Sequence, residues 1–444
     1  MLGQDTLDYY RSWLEYRRWF LRVPGVQACV RDGGSSRLSV ALGFADEPAG
    51  QPLTEQHRFR IASHSKTFAA VTVLRLVEQG RLRLDDPLST HRPELTGPIA
   101  DRTVRELLSH GGGVIRDSED GDFWQLSFPY PDNDELIRIA NESSAAVLPR
   151  NERFKYSNIA YGLLGLVIEA VTGRSFADVI DEQIVHPLGL EDTGAEPASI
   201  DDPSLTAGHS ALSYARERRT IKHVDTRALA AATGFYATAA DLSAFYTALL
   251  PGDGSLLSDD SRRQLLQRQW EVKAGVSSYG FGVFLNKIGD RQLFGHSGGY
   301  PGHITRTFAD PESQVVVSVL TNAIDGPAEP LADVLFRLMD VAQSGTHRPA
   351  SAGHKFTGRF ESLWGLQDVA LLDGRLFALN PSPASPVDDP IALEIVDETT
   401  LKMVSGPGGA SIGEYMRYEF GPDGAITSVR GNSGMSMTPF TLPS

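Results

Sequence analysis

Ser63 and Lys66 stand three residues apart in the run Ser63-His64-Ser65-Lys66, at the start of a strong helical pattern. Side chains at i and i+3 share one face of a helix, about one turn apart, so the amine reaches the hydroxyl. A serine hydroxyl is a poor nucleophile until a neighbouring base takes its proton. The first turn of the helix also offers exposed N–H groups and a positive dipole end to a developing oxyanion. Further on, Phe154-Lys155-Tyr156-Ser157-Asn158 sets a phenol and an amide at the mouth of a second helical run, and His296-Ser297-Gly298 falls at the end of a strand-like run. The Ser63 motif holds neither a histidine–aspartate pair nor a metal site, which leaves Lys66 or Tyr156 as the base, both with reference pKa values of about 10. Enclosed together, the two allow a lysine ammonium beside a phenolate, or one shared proton. Read blandly, Ser63 is an N-cap and Lys66 a solvated helix residue.

A second serine competes. Gly295-His296-Ser297-Gly298-Gly299 has the form G-x-S-x-G, and His110-Gly111-Gly112-Gly113 lies upstream as a lipase-like oxyanion loop. On that reading Ser297 is the nucleophile of an α/β-hydrolase. Such an elbow needs a strand before the serine and a helix directly after it, so that the turn aims Oγ off the sheet. Here Tyr300-Pro301-Gly302 and a strand-like run at 304–308 follow, which predicts a glycine-rich hairpin.

The elements that must position these groups alternate along the chain. Strand-like runs at 25–31 and 38–44 join through Asp32-Gly33-Gly34, a hairpin signal. A helix over 63–80 follows, then mostly helical sequence from about 85 to 270, with clear helices at 158–172, 176–186 and 239–250. Strand character returns at 279–285, 291–294, 304–308 and 314–320, before a closing helix at 329–341. Strands at both ends with helices between predict an α+β domain over 1–343, one sheet built from distant halves plus a helical lobe. Residues 344–355 read as a linker, and 356–444 as a small antiparallel barrel or sandwich with hairpins at Asp373-Gly374 and Asp423-Gly424.

Composition bounds the partners. The 444 residues carry a net charge of −15, with 41% hydrophobic and 22% charged residues, a globular balance that repels phosphate backbones and excludes a nucleic-acid partner. No run approaches the ~20 apolar residues of a membrane span. Arg11, Glu15, Arg17, Arg18 and Arg22 interrupt any secretory apolar run, and the first segment reads as an amphipathic helix; the expected setting is cytoplasmic. The single cysteine, Cys29, makes neither an internal disulfide nor a thiolate metal site and reads as a small apolar strand residue. Residues 117–122, Asp-Ser-Glu-Asp-Gly-Asp, look calcium-like but lack the ligand order of such a loop, and read as solvated, with Phe123 and Trp124 at a cleft rim. No metal and no cofactor is implied.

The ordered motifs resemble the penicillin-binding-protein-like serine hydrolases: class C β-lactamases, D-alanyl-D-alanine carboxypeptidases, D-aminopeptidases and their esterase relatives. The resemblance covers roughly residues 20–345 and rests on Phe59-Arg60-Ile61-Ala62-Ser63-His64-Ser65-Lys66-Thr67, Leu107-Leu108-Ser109-His110-Gly111, Tyr156-Ser157-Asn158 with Gly162-Leu163-Leu164-Gly165, and His296-Ser297-Gly298. It implies a β-lactamase/transpeptidase-like domain, attack by Ser63 on an acyl carbon, a proton relay through Lys66 and Tyr156, and an acyl-enzyme on Ser63. It implies that Asn158 bonds the substrate amide or Lys66, that the N–H groups of Ser63 and Gly299 hold the oxyanion, and that His110 sits in a structural loop. The C-terminal barrel resembles the lipocalin-like domain appended to some members.

Where many relatives begin the third motif with lysine, this chain has His296. An imidazole near its reference pKa of ~6.5 is mostly neutral at pH 7, which weakens the pull on a free carboxylate and favours an ester, amide or peptide acyl donor. Ser297 is expected to line the site through its hydroxyl, and Arg306, close to His303 on the next strand, to meet a substrate carboxylate. The substrate is then a small-molecule or peptide acyl donor. The same acyl-enzyme also fits a stand-alone penicillin-binding-type thioesterase, which cyclises or releases nonribosomal peptides from a carrier protein. A non-catalytic binding protein on the same fold has no need for the full set Ser63, Lys66, Tyr156 and His296.

Overall fold

The computed structural model describes residues 2–213, 215–350, 352–431 and 434–443. Two compact units divide it: Pro24–Glu329, and the chain up to Val23 together with everything from Pro330 onward. Among the described residues the helices of nine residues or more are α1 (Gln4–Phe20), α2 (Ser65–Glu78), α3 (Asn133–Asn141), α4 (Asn158–Thr172), α5 (Ala239–Thr247) and α6 (Ala328–Ser344). No helix among them is long and apolar enough to cross a membrane.

The Pro24–Glu329 unit is built on an antiparallel sheet drawn from both of its ends, as the strand runs predicted. β1 (Gly25–Asp32), β2 (Ser35–Asp46) and β3 (Gln51–Pro52) come from its start. β4 (Trp270–Lys273), β5 (Ser277–Tyr279), β6 (Phe284–Ile288), β7 (Arg291–Tyr300), β8 (His303–Asp310) and β9 (Val315–Thr321) come from its end. The spatial order is β3-β2-β1-β9-β8-β7-β6-β5-β4. The distant halves join where Val26 faces Thr321 and Asp32 faces Val315. The valine-rich β9 is buried at every position.

Helix α2 is buried from Ser65 through Leu74, and its Phe68 ring stacks 3.7 Å from Phe245 of α5 and 4.6 Å from Phe235. Its approach to the sheet explains why the run at 279–285 is not one strand. Gly282 holds φ +66 between β5 and β6, and a Cβ there would lie 2.6 Å from the Lys66 carbonyl oxygen and 2.8 Å from Ala70 Cβ. Only glycine tolerates both the backbone and the contact. The helical lobe contains less helix than expected: residues 189–238 hold short bridges and a π-helical turn, Ala230–Gly234. The helix anticipated at 176–186 changes to a π turn at Asp181–Val185, just before Pro187, which cannot donate to the turn it follows.

The other unit is a closed barrel. Its strands are β10 (Gly358–Ser362), β11 (Gly365–Leu372), β12 (Arg375–Leu379), β13 (Ile391–Asp397), β14 (Thr400–Ser405), β15 (Tyr415–Phe420), β16 (Ile426–Gly431) and β17 (Met435–Pro439). Both anticipated Asp-Gly turns sit between paired strands. The first and last strands gave little pattern in sequence, yet they pair with each other, Phe360 opposite Pro439, and that closure removes the free edges. α1 belongs to this unit: Tyr9 donates to Asp368 Oδ2 (3.1 Å), Tyr10 to the Leu331 carbonyl (2.8 Å) and Trp13 to the Pro381 carbonyl (3.1 Å).

Three histidines tie the irregular segment around Thr206 together and to the start of β8 and the end of β9. His303 Nε2 lies 3.0 Å from Thr206 Oγ1, His223 Nε2 donates to the Thr206 carbonyl (2.9 Å) and His209 Nδ1 to the Asn322 carbonyl (2.8 Å). Burial depresses all three, with Arg60 and the neighbouring rings adding to the effect on His303, and Arg60 to that on His223, which falls to about 4. In the unfolded chain each returns to about 6.5. The unfolded state therefore binds more protons in that window, and the stability held above pH ~6.5 is lost as pH falls toward ~4. Thermal midpoints measured across this range are expected to drop steadily, with a shallower slope in His223→Gln; a wild-type midpoint flat down to pH ~4.5 contradicts the account.

Candidate active site

Ser63 sits in a short 3-10 turn, Ala62–His64, that runs into α2. Ala62 has φ +50, a left-handed conformation that costs a non-glycine residue about 1 kcal/mol. Ser65 secures it: its Oγ donates to the Ala62 carbonyl (2.5 Å) and accepts from the Phe235 N–H (3.1 Å). The strained turn places Ser63 Oγ 2.8 Å from the donating Tyr156 hydroxyl and 3.2 Å from Lys66 Nζ.

Lys66 has no solvent exposure. Besides Ser63, its Nζ meets Asn158 Oδ1 at 2.8 Å and the Ala232 carbonyl at 2.7 Å. Burial holds its pKa well below the usual lysine value; Asp117 pulls it back up and Arg116 pushes it further down. Burial moves Tyr156 the other way, raising it despite the Ser63 hydrogen bond and Arg116. Of the proton arrangements open from sequence, the site thus favours a neutral amine and a neutral phenol over an ammonium–phenolate pair. A neutral amine donates two hydrogens to Asn158 Oδ1 and Ala232 O and turns its lone pair to Ser63. An ammonium donates to all three oxygens. The same cage fits the lysine before and after it takes a proton.

Asn158 opens α4 behind the N-cap Ser157, whose Oγ accepts from the Ala160 N–H (2.9 Å). Its amide is oriented by Asp117, which accepts from Asn158 Nδ2 at 2.7 Å and from Trp124 Nε1 at 2.8 Å. A carboxylate only accepts, so the Asn158 oxygen must face Lys66. Asp117 is therefore not part of a solvated acidic loop, as its setting in sequence suggested. Arg116 pairs with it at 3.4 Å and lies over the Tyr156 ring at 5.1 Å. Among the described residues no cluster of histidine, cysteine and carboxylate side chains could hold a metal ion.

The third motif enters from β7. β6 pairs with β7 only as far as Gly295, which leaves the rest of that edge uncovered. Ladder parity from the two-residue turn at Pro301-Gly302 turns the N–H and C=O of Ser297 and Gly299 away from β8, toward this edge. A Cβ on Gly298 would lie 2.2 Å from the Ile61 oxygen, so the strand touches the very turn that carries Ser63.

His296 lies on this same face but touches none of Ser63, Lys66 or Tyr156 through a hydrogen bond. Its Nδ1 donates to the Ser297 carbonyl (2.7 Å), so Nε2 accepts from the Tyr279 hydroxyl (3.2 Å). Burial, reinforced by Lys66, holds it at about 3, neutral throughout the physiological range. In this arrangement both ring nitrogens are spent on the β7 backbone and on Tyr279.

Strand alternation puts Ser297 and Arg306, which face each other across β7 and β8, on the opposite side from His296 and Gly298. Arg306 is only 3% exposed, bonds Asn286 Oδ1 at 2.7 Å and stacks on Phe308 at 4.0 Å. Both side chains therefore lie across the sheet from His296, with Arg306 engaged by Asn286. The α/β-hydrolase alternative does not fit this strand, because β7 turns straight into antiparallel β8 instead of a helix. The Gly111 and Gly112 N–H groups both go to the Glu106 carbonyl, so His110–Gly113 is a helix end and not an oxyanion loop. His110 instead backs the site, its ring 4.4 Å from Tyr156 and its Nδ1 accepting the Ser157 N–H.

A sheet-and-helical-lobe fold with a serine between a buried lysine and a tyrosine defines a serine hydrolase of the β-lactamase and penicillin-binding type. The chain belongs to the beta-lactamase family, whose model matches residues 15–338. It is 29% identical over 370 residues to esterase EstB of Burkholderia gladioli, a match spanning 71% of this chain and 90% of that one. Among solved structures, SurE with D-Leu is 25% identical with a TM-score of 0.62, over 98% of this chain and 99% of its own. A D-stereospecific amidohydrolase from a Streptomyces species is 25% identical with a TM-score of 0.63, over 77% of this chain and 99% of its own.

Asp117 acts on Lys66 twice, by orienting Asn158 and by its charge. Asp117→Asn is expected to slow labelling of Ser63 by a fluorophosphonate about tenfold. Because the lost charge had favoured the ammonium, the rising limb of the labelling–pH profile should move to lower pH. A profile that stays in place contradicts this coupling.

Proposed function

We propose that the protein is a serine acyl hydrolase that forms an acyl-enzyme on Ser63 and cleaves an ester, an amide or a D-configured peptide bond. The observation that carries the reading is the placement of Ser63 Oγ between Tyr156 OH at 2.8 Å and the fully buried Lys66 Nζ at 3.2 Å. Lys66, as the free amine, takes the Ser63 proton while Oγ bonds the acyl carbon. The negative charge that develops on the carbonyl oxygen is met by the N–H groups of Ser63, on the opening turn of the helix, and of Gly299, on the uncovered edge. As the bond to the leaving oxygen or nitrogen breaks, the proton passes from Lys66 to it by way of the Tyr156 hydroxyl. Water then adds to the acyl carbon, its proton returns through the same pair, and Ser63 leaves with a hydrogen. Asn158 holds Lys66 and bonds an amide of the substrate.

Neutral His296 removes the fixed cation that would draw a free carboxylate, which favours uncharged acyl donors over β-lactam carboxylates. The esterase relative supports the ester arm of the reading; the structure with D-Leu and the D-stereospecific amidohydrolase support the D-configured arm. An acyl-enzyme is equally open to an amine, and release or cyclisation of a carrier-bound peptide is the second outcome that the same intermediate allows.

Intact-mass analysis with p-nitrophenyl esters and with D- and L-amino-acid esters and amides tests this. Wild type and Ser297→Ala are expected to gain one acyl group, and Ser63→Ala none. Lys66→Ala is expected to lose at least about a thousandfold in acylation rate. Products formed in the presence of a D-amino-acid amide separate hydrolysis from aminolysis. Acylation that survives Ser63→Ala would falsify the assignment.

A further inference from the structure

One end of the C-terminal barrel is closed by its own chain. The 3-10 turn Gly353–Phe356 places the buried Phe356 ring in the barrel core, and Tyr418 OH donates to the Phe356 carbonyl (3.1 Å). The other end is different. There a cavity of about 240 Å³ opens, lined by Ala378, Ile391, Met435 and Met437, with the amides of Gln367 and Asn380 among them. Ala378, Ile391 and Met437 belong to or pack on the barrel core, so this cavity is the mouth of the barrel interior and not a crease on its outer wall. Alternation along β11 and β17 turns Gln367 and Met435 to the same interior, while Asn380, one residue past β12, is exposed at the rim and its Oδ1 accepts the Ser382 N–H (3.1 Å).

The lip of this mouth exposes apolar surface that the fold does not need to expose. The turn between β10 and β11 carries Leu363 at 97% exposure and Trp364 at 82%, and Trp364 also lines the cavity. The turn is built to present them: Ser362 Oγ accepts the Trp364 N–H at 3.2 Å. A tryptophan held at the rim of an apolar cup is available to close over an occupant, and the mouths of small barrels are a preferred place for ligand cavities. The charge at the rim selects among occupants. Asp389 lines the mouth, Asp388 and Glu361 are exposed nearby in sequence, and no lysine or arginine contributes to the lining.

We propose that the barrel mouth is a second binding site, independent of Ser63, for a small apolar molecule whose polar end is neutral or cationic. The alkyl or aryl body lies against Met435, Met437 and Ile391, and Trp364 covers it. The Gln367 amide hydrogen-bonds the polar end, and Asp389 stabilises a positive charge there and repels a carboxylate.

The test uses the full chain and the uncharged dye N-phenyl-1-naphthylamine, titrated by fluorescence and then displaced by decanol, decylamine or decanoate. The site predicts saturable dye binding, and displacement by decanol and decylamine at concentrations about tenfold or more below that of decanoate. Asp389→Lys, an exposed change, should narrow or invert the preference between amine and carboxylate. Trp364→Ala and Met435→Arg should each weaken the dye at unaltered thermal midpoints. The absence of saturable binding overturns the proposal, as does binding indifferent to all three substitutions. A Trp364-dependent dimer in sedimentation without dye binding also overturns it, since the lip then serves a second copy of the chain. Ser63→Ala should bind the dye as wild type does, so failure here is distinguishable from failure of the hydrolase reading.

Discussion

A primary amine with no access to water is the constraint around which the Pro24–Glu329 unit is arranged. Burying an isolated ammonium costs far more than a fold's net stability, so such a group either gains partners or gives up its proton. Lys66 is placed to do both. Its three oxygen neighbours are enough for an ammonium and not too many for an amine, so in the proposed reaction the Ser63 proton would arrive where the receiving geometry already exists. Reorganisation, usually a large part of the cost of charge formation in a low-dielectric interior, is avoided.

Each oxygen of that cage is held by a different part of the fold. Asn158 Oδ1 is aimed by the N-capped start of α4 and by Asp117 behind it. The Ala232 carbonyl points inward from a π-helical turn, a geometry in which the usual i to i+4 ladder is relaxed and a backbone oxygen is spared for other use. Ser63 Oγ rides on a left-handed Ala62, a strain held in place by Ser65. Glycines at 282 and 298 then let β-structure close on the same turn from two sides, near enough that a methyl group at either would collide with backbone.

The parts of this arrangement visible in sequence were those carried by side-chain identity at short range. The pairing of Ser63 with Lys66, the N-terminal mouth of α4, the two-ended sheet and the Asp-Gly turns of the barrel all follow from spacing and periodicity. What stayed hidden depends on backbone or parity. Ala232 contributes only a carbonyl, and any residue has one. Asp117 sits in an acidic stretch that composition alone reads as solvated, while its bond to Asn158 spans 41 positions of chain. The face that Ser297 and Arg306 take was equally out of sight, because closeness to a motif says nothing about which side of a strand a side chain occupies. The failure of the strand at 279–285 has the same origin: the glycine that breaks it is required by a helix two hundred residues earlier.

The substitution of histidine for the more usual lysine in the third motif has a consequence beyond the loss of one charge. A lysine at position 296 would need a counter-charge or water in a pocket where Tyr279, His64 and Phe284 pack around the ring. Histidine instead satisfies itself locally, one nitrogen on the strand's own carbonyl and the other on Tyr279, and remains uncharged. It also adds no second cation beside Lys66, whose own proton affinity would otherwise fall further. With burial drawing Lys66 toward the free amine, and with Arg116 and Asp117 paired beside Tyr156, little net charge is left around Ser63. Discrimination among acyl donors in such a site must come from shape and hydrogen bonding rather than from long-range attraction, and its rate should depend only weakly on ionic strength.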